Sequence, residues 1–142
     1  MRGVFAYEFE VSADAVDGNG HVNNVEYVRW MQEAAVRHSD ATGCTAATRE
    51  AGGTWVVRTH HVEYLRPAFA GDRIAVRTWV SNFRKVLSLR KYEFARAADG
   101  TVLARGETDW VFLEVATGRP RRVPEAVAAC FDLVPDDGGP AE

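Results

Sequence analysis

Nowhere in its 142 residues does this chain hold 18 apolar residues in a row. The sequence therefore predicts no membrane-spanning helix. The opening MRGVFAYEFEV has none of the long apolar core of a secretory signal, so the expected compartment is the cytoplasm. Only two cysteines occur, Cys44 and Cys130, far apart and outside any C-x2-C spacing. That argues against a disulfide framework and a thiolate metal site, and fits two reduced thiols. Basic charge is not in excess: 17 Lys and Arg against 20 Asp and Glu leave a net charge of −3. Such a balance does not point to nucleic acid as a partner. It still allows a local group of arginines to hold a phosphate. No internal repeat is evident.

What is present is an ordinary globular composition, 46% hydrophobic and 26% charged, in a length that suits one domain with a core of its own. Residues 1–134 are read as that domain. The remaining PDDGGPAE, rich in Asp, Gly and Pro, is expected to be a disordered tail. Residues 4–11 alternate, with Phe5, Tyr7, Phe9 and Val11 on one side, which predicts a half-buried strand. Residues 24–42 read as a helix. Tyr27, Met31, Ala34 and His38 share a face, and Val28, Trp30 and Ala35 widen it, so burial on more than one side is expected. Gly43 is a suitable stop. A second short helix is expected over 45–51, and strands over 54–66, 73–83, 86–97 and 101–115. Turns are expected at Arg84-Lys85 and at Asp99-Gly100. Imperfect alternation predicts a bulge near Arg90. A last short helix is expected between Pro124 and Phe131. The order of strand, helix and four strands predicts an α+β domain in which one helix is covered by an antiparallel sheet.

Ahead of the long helix stands DGNGHVNN, residues 17–24. Asn23, with Glu26 three residues later, resembles a capping box. The glycines permit a tight loop. Neither Asp17 nor His21 is needed for capping. Asp17 can fold back toward the helix N-terminus, where free N–H groups and the positive end of the dipole collect. A carboxylate beside such donors can attack a carbonyl or activate water, while the donors hold an oxyanion.

Asp17-Gly18-Asn19-Gly20-His21-Val22-Asn23-Asn24, followed by Tyr27-Val28-Arg29-Trp30, resembles the active-site segment of hotdog-fold acyl thioesterases, in particular the 4-hydroxybenzoyl-CoA thioesterase-like family. The acyl-ACP thioesterases share the same D-x-N-x-H-V-N-N string. His61-Val62-Glu63-Tyr64-Leu65-Arg66-Pro67-Ala68, Gly71-Asp72 and Thr117-Gly118-Arg119-Pro120 extend the resemblance over roughly residues 4–125. It implies a hotdog fold, a five-stranded antiparallel sheet wrapped around a long central helix. It also implies homodimers or dimer-of-dimers tetramers, with active sites at the dimer interface. By the same resemblance Asp17 is the catalytic carboxylate, as nucleophile or as general base. The backbone N–H of Asn24 polarises the thioester carbonyl. Asn19 and His21 orient water or the carboxylate, and Gly20 and Tyr27 belong to the substrate site. Two departures limit the transfer: Ala15 stands where many relatives have an Asp, and the strand 2 region lacks the cysteine of the acyl-ACP enzymes.

The implied substrate is an acyl-CoA, with acyl-ACP as the alternative, and no cofactor or metal is implied. Phosphates of CoA need arginine or lysine. Arg84-Lys85 matches a basic turn that holds CoA phosphates in the family. Arg121 and Arg122, with Arg119, form a second basic group. Trp30, Trp55, Trp79, Tyr64 and Phe83 are candidates for shaping the acyl pocket, though core packing explains aromatics equally well. A hotdog dehydratase would need an H-F-P-type string, which is absent. A non-catalytic acyl-thioester binding module shares the same fold, but has no use for Asp17.

Overall fold

Tyr27, Trp30, Met31, Ala34, Ala35 and His38 are the buried residues of a 19-residue helix, α1 (Asn24–Thr42). They cover more than a narrow stripe, as the residue spacing predicts. In the computed structural model, which describes residues 3–136, α1 is followed by α2 (Cys44–Glu50), with Gly43 between them at φ 86°. The strands are β1 (Phe5–Glu10), β2 (Gly53–Tyr64), β3 (Arg73–Arg84), β4 (Leu87–Arg96) and β5 (Val102–Glu114). A short 3-10 turn (Ala13–Ala15) follows β1, and α3 (Glu125–Ala128) follows β5. The last helix is shorter than expected. Most other ends fall within a residue or two of their predicted places.

The five strands form one antiparallel sheet in the order β1-β3-β4-β5-β2. Its inner face carries Ile74, Val76, Tyr92, Phe94 and Ala104 against Tyr27, Trp30, Met31, Ala34 and Ala35 of α1. This is the α+β hotdog arrangement. The large apolar side chains among them, such as Met31, Ile74, Val76 and Phe94, contribute about 1.5–3 kcal/mol each when fully buried. A second cluster joins Cys44, Phe112 and Val127 with Trp55 and Phe131 packed against it. Both cysteines are free thiols.

The expected bulge sits across the ladder from its predicted place. Ser81 of β3 is the extra residue, opposite Arg90 and Leu89. β4 itself alternates correctly there: Ser88, Arg90 and Tyr92 all point inward and are buried. The sequence pattern looked broken because two of those three are polar. A further shift follows Phe94. Asp136, assigned to the tail, is held. Ser81 Oγ donates to Asp136 Oδ1 at 3.3 Å, and Lys91 Nζ lies 2.5 Å from the same oxygen. The rest of the expected tail, residues 137–142, lies outside the described residues.

Two glycines owe their identity to close packing. A Cβ on Gly106 of β5 would stand 2.9 Å from Met31 Sδ, so its absence lets the helix settle on the sheet. A Cβ on Gly53 would stand 2.1 Å from Cζ of the fully buried Phe112 ring. Gly53→Ala is expected to cost about 1–3 kcal/mol, the usual range for overpacking. Gly18→Ala, whose Cβ meets nothing within 4 Å, is expected to stay within about 0.5 kcal/mol. Urea unfolding of the two variants beside the parent checks this, and equal midpoints would contradict it.

Candidate functional site

The segment before α1 is a miniature hairpin. Asn23 N–H donates to Ala15 O at 2.8 Å, Val16 bridges Val22, and Asp17 N–H donates to His21 O at 2.8 Å. At its tip Gly20 takes φ 82° and donates to Asp17 O at 3.1 Å. Asp17 is half-buried, and its Oδ1 accepts the Asn19 N–H at 2.9 Å. So Asp17, Asn19, Gly20 and His21 come together in one turn, and backbone contacts join them. The His21 ring is exposed and stands edge-on to Phe69 at 5.4 Å.

That hairpin leads straight into α1. The Asn23 side chain accepts the Val25 N–H at 3.0 Å, which is the expected cap. The reciprocal half of the capping box is not made. The Asn23 N–H already serves Ala15 O, and the Glu26 carboxylate faces Arg29 at 3.4 Å. Glu26 N–H returns to Asn23 O. Among the described residues no partner takes the N–H of Asn24, the first helical residue. The Tyr64 hydroxyl donates to Asn24 O at 2.9 Å and its ring meets Tyr27 edge-on at 5.4 Å. Burial pushes the Tyr27 hydroxyl up to about 12, with the neighbouring Tyr64 adding to the effect. Tyr27 is thus neutral and forms the floor one turn below the helix start.

A loop from Pro67 to Asp72 clamps this junction. Ala68 O accepts the Val22 N–H at 2.8 Å, and Val11 exchanges backbone bonds with Gly71 and Asp72. Arg96 holds the loop from the sheet through Asp72 at 3.3 Å and Pro67 O at 3.0 Å. Sequence reasoning missed Arg96 and Asp72 as supports of the site. The Asp72 side chain also accepts the Phe69 N–H, a local turn that the Gly-Asp pair would have signalled.

The basic residues lie elsewhere. The junction is tied to the Arg73 end of β3, while Arg84 closes its other end, roughly 36 Å away at 3.3 Å per residue. There the Lys85 carbonyl accepts the Val123 N–H at 2.9 Å, which brings the Arg84-Lys85 turn beside the Arg121-Arg122 segment. Two of the four have structural partners: Arg84 reaches Asp109 at 2.9 Å, and Arg121 donates to Ala51 O and covers the Phe112 ring. Lys85 and Arg122 are exposed.

A buried polar group that sequence reasoning missed lies under the second half of α1. Arg90, 4% exposed, donates to His38 Nδ1 at 2.9 Å and to Thr78 Oγ1 at 3.0 Å. Thr78 passes its own proton to Lys91 O. The signal was present: once β4 is given strict alternation, Arg90 falls between two inward residues. Among the described residues no three His, Cys, Asp or Glu are grouped to hold a metal ion. Nor is any helix among them long and apolar enough to cross a membrane.

Comparison with known proteins gives a consistent picture. A sequence model of the thioesterase-like superfamily matches residues 11–131. The L-carnitine dehydrogenase/betainyl-CoA thioesterase of Ruegeria pomeroyi is 31% identical over 112 residues, 78% of this chain and 22% of the relative. The chloroplastic palmitoyl-acyl carrier protein thioesterase of Gossypium hirsutum is 25% identical over 131 residues, 87% of this chain and 32% of the relative. This chain thus spans between a fifth and a third of those relatives' length. The crystal structure of a 1,4-dihydroxy-2-naphthoyl-CoA thioesterase from Synechocystis superposes with a TM-score of 0.81 at 20% identity, over 90% of this chain and 95% of the other. That likeness concerns the fold.

The buried pair makes stability depend on pH. Burial, and then the Arg90 charge, push His38 down from 6.5 to about 4. Between those values the unfolded chain binds a proton that the folded chain refuses, so stability rises with pH. The contribution is complete above pH 6.5 and is lost as pH falls toward 4. Urea midpoints are expected to fall across that window, and to fall less in His38→Asn. An NMR titration placing His38 at its ordinary value would refute the assignment.

Proposed function

Because this chain belongs to the thioesterase-like superfamily, we propose that it hydrolyses acyl thioesters, with acyl-CoA as the substrate and acyl-ACP as the alternative. The observation that carries this reading is the hairpin of residues 15–23. It holds the half-buried Asp17 carboxylate on the Asn19 N–H and runs directly into a helix whose first N–H, that of Asn24, has no partner among the described residues. A free N–H at the positive end of a helix is a ready oxyanion donor. In the proposed reaction the thioester carbonyl oxygen lies on Asn24 N–H. Asp17 either attacks the carbonyl carbon or takes a proton from the attacking water. The C–S bond then breaks, and the thiolate leaves and takes up a proton. In the general-base route the acid is released directly; in the nucleophilic route water opens the mixed anhydride left on Asp17, which frees the acid and restores the carboxylate. Asn19 and His21 serve as positioning residues: the Asn19 N–H orients the Asp17 carboxylate, and the His21 carbonyl fixes its backbone. Gly20 allows the turn, and Tyr27 floors the acyl approach.

Lys85 and Arg122 are the proposed phosphate contacts, with Arg84 and Arg121 building the ground they stand on. Within one chain that ground and Asp17 lie at opposite ends of the sheet. A second copy that turns its basic end toward Asp17 would bring them to one substrate, which supports a homodimer. β2 supplies a suitable edge. It ends the sheet, and the adjacent Val56 and Val57, on opposite faces, are 40% and 36% exposed. An unpaired edge of that kind favours pairing with another strand.

Thiol release from a panel of acyl-CoAs tests the chemistry. Asp17→Asn is expected to lower kcat by about 10²–10⁴. Asn24→Pro isolates the oxyanion donor. Proline is well tolerated at the first helical position and removes only the N–H, and Asn23 already has the φ −64°, ψ 136° that suits a residue before proline. A fall of about 10²–10³ in kcat with unchanged stability is expected, whereas Asn24→Ala should retain most activity. Undiminished release by Asp17→Asn would sink the mechanism.

The dimer is tested by sedimentation. The parent is expected to run at twice the 15.7 kDa of one chain. Val57→Lys is expected to run as a folded monomer with its hydrolysis lost. An active monomer would remove the need for the second copy.

A further inference from the structure

A cavity of about 490 Å³ opens beneath the C-terminal half of α1 and beside α2, where the two core clusters fail to meet. That volume suits a small organic molecule. Its wall includes Trp55, Phe83, Phe131, Trp110, Ser88 and Arg90. Aromatic rings make most of it apolar, and the Arg90 guanidinium stacks 5.5 Å from the Phe131 ring.

The polar part of this wall has more donors than acceptors. Arg90 can donate five hydrogen bonds. The structure shows two, both from one nitrogen, to His38 and Thr78. Among the described residues no carboxylate lies within ion-pair distance of it. His38 is held neutral, so it neutralises nothing. The Tyr92 hydroxyl has Trp110 and Thr108 as its polar neighbours. Thr108 Oγ1 is already paired with His60 Nδ1 at 2.8 Å. The one carboxylate on the cavity wall, Asp40, is taken by the Thr45 hydroxyl at the mouth. A buried cation without a counter-charge is costly. Elsewhere in the sheet the same chain supplies partners: Glu93 lies between Arg77 and Arg105, and Lys91 meets Glu107 and Asp136.

We infer that this cavity binds an organic carboxylate, its apolar body against the aromatic wall and its charge on Arg90. Two sources share that chemistry. One is the far carboxylate of a substrate acyl group, and the other is a free carboxylic acid. From Asn24 to His38 the helix runs about 21 Å, so within one chain only a long acyl group reaches Arg90 from the thioester. Only the assignment to a substrate tail rests on the hydrolase reading.

Binding is tested on the purified protein with benzoate, 4-phenylbutyrate and octanoate, each against its neutral amide, by quenching of tryptophan fluorescence. The acids are expected to bind about tenfold or more tightly than the amides, the worth of one charged hydrogen bond. Arg90→Met and, independently, Arg90→Gln are expected to erase or shrink that preference. Arg90→Gln removes the charge but keeps an amide donor in place of the guanidinium, so it decides the matter where Arg90→Met does not fold. Equal binding of acid and amide, no binding of either, or a preference untouched by both substitutions overturns the inference. Hydrolysis rates of acyl-CoAs with and without a terminal carboxylate, compared at equal length, distinguish the sources. A kcat/KM preference for the carboxylated series that Arg90→Met removes assigns the site to the substrate. Acid binding without such a preference assigns it to a free acid. Acid binding in a protein that hydrolyses no thioester removes the hydrolase reading and leaves this one standing.

Discussion

Everything in this molecule depends on how closely α1 can lie on the sheet. Met31 presses on β5 where Gly106 has no side chain, and its own exposure is zero. That contact fixes the height of the helix. Tyr27, Trp30, Ala34 and Ala35 then reach Ile74, Val76, Phe94 and Ala104 at packing distance. The N-terminus of α1 is placed by the same contact, at the level where Tyr64 from β2 can hydrogen-bond Asn24 O. The hairpin before it is hung between Ala15, Ala68 and the helix start. A helix raised by one methyl group would carry Asn24 away from all of these. The proposed oxyanion donor is therefore set by a core contact seven residues along the helix, and not by the loop that carries Asp17.

The legible part of the sequence was whatever one local pattern controls. The bounds of α1 follow from Asn23, the apolar spacing and Gly43, and the helix runs from Asn24 to Thr42. β1 follows from strict alternation of aromatic and polar residues. The four later strands follow from turn residues between β-rich runs. Less legible was whatever two distant segments decide together. Glu26 has the spacing of a capping box, yet its role was removed by Ala15, eight residues before the cap, which takes the Asn23 N–H. The structural partners of Arg84 and Arg121, Asp109 and the Ala51 carbonyl, are far away in the chain. Asp136 read as tail because the lysine that holds it is 45 residues earlier. In each case one end of an interaction was visible and the other was not.

Arg90 is a different kind of miss. Alternation along β4 assigns it to the inner face, but its charge argues for the outer one, and the two rules pull the reading of residues 86–97 apart. Physical cost explains why the charge rule normally wins: a buried guanidinium gives up its hydration and needs acceptors in return. Here the protein returns only a neutral imidazole and a hydroxyl. Local and global preferences conflict at this one position, and conflicts of that kind collect where a protein meets a ligand.

The two ends of the sheet pose a related problem of distance. The chain puts its proposed carboxylate and helix N-terminus at one end of β3 and its cations at the other, and α1 and β3 are stiff elements that do not fold back. One chain therefore offers half of two sites. A strand edge with exposed valines on both faces, at the end of the sheet, is the feature that can join two such halves, because antiparallel pairing of β2 with its copy reverses the direction of the second sheet. In the proposed dimer the edge and the divided charges would become consequences of one arrangement, in which each chain completes its partner's site.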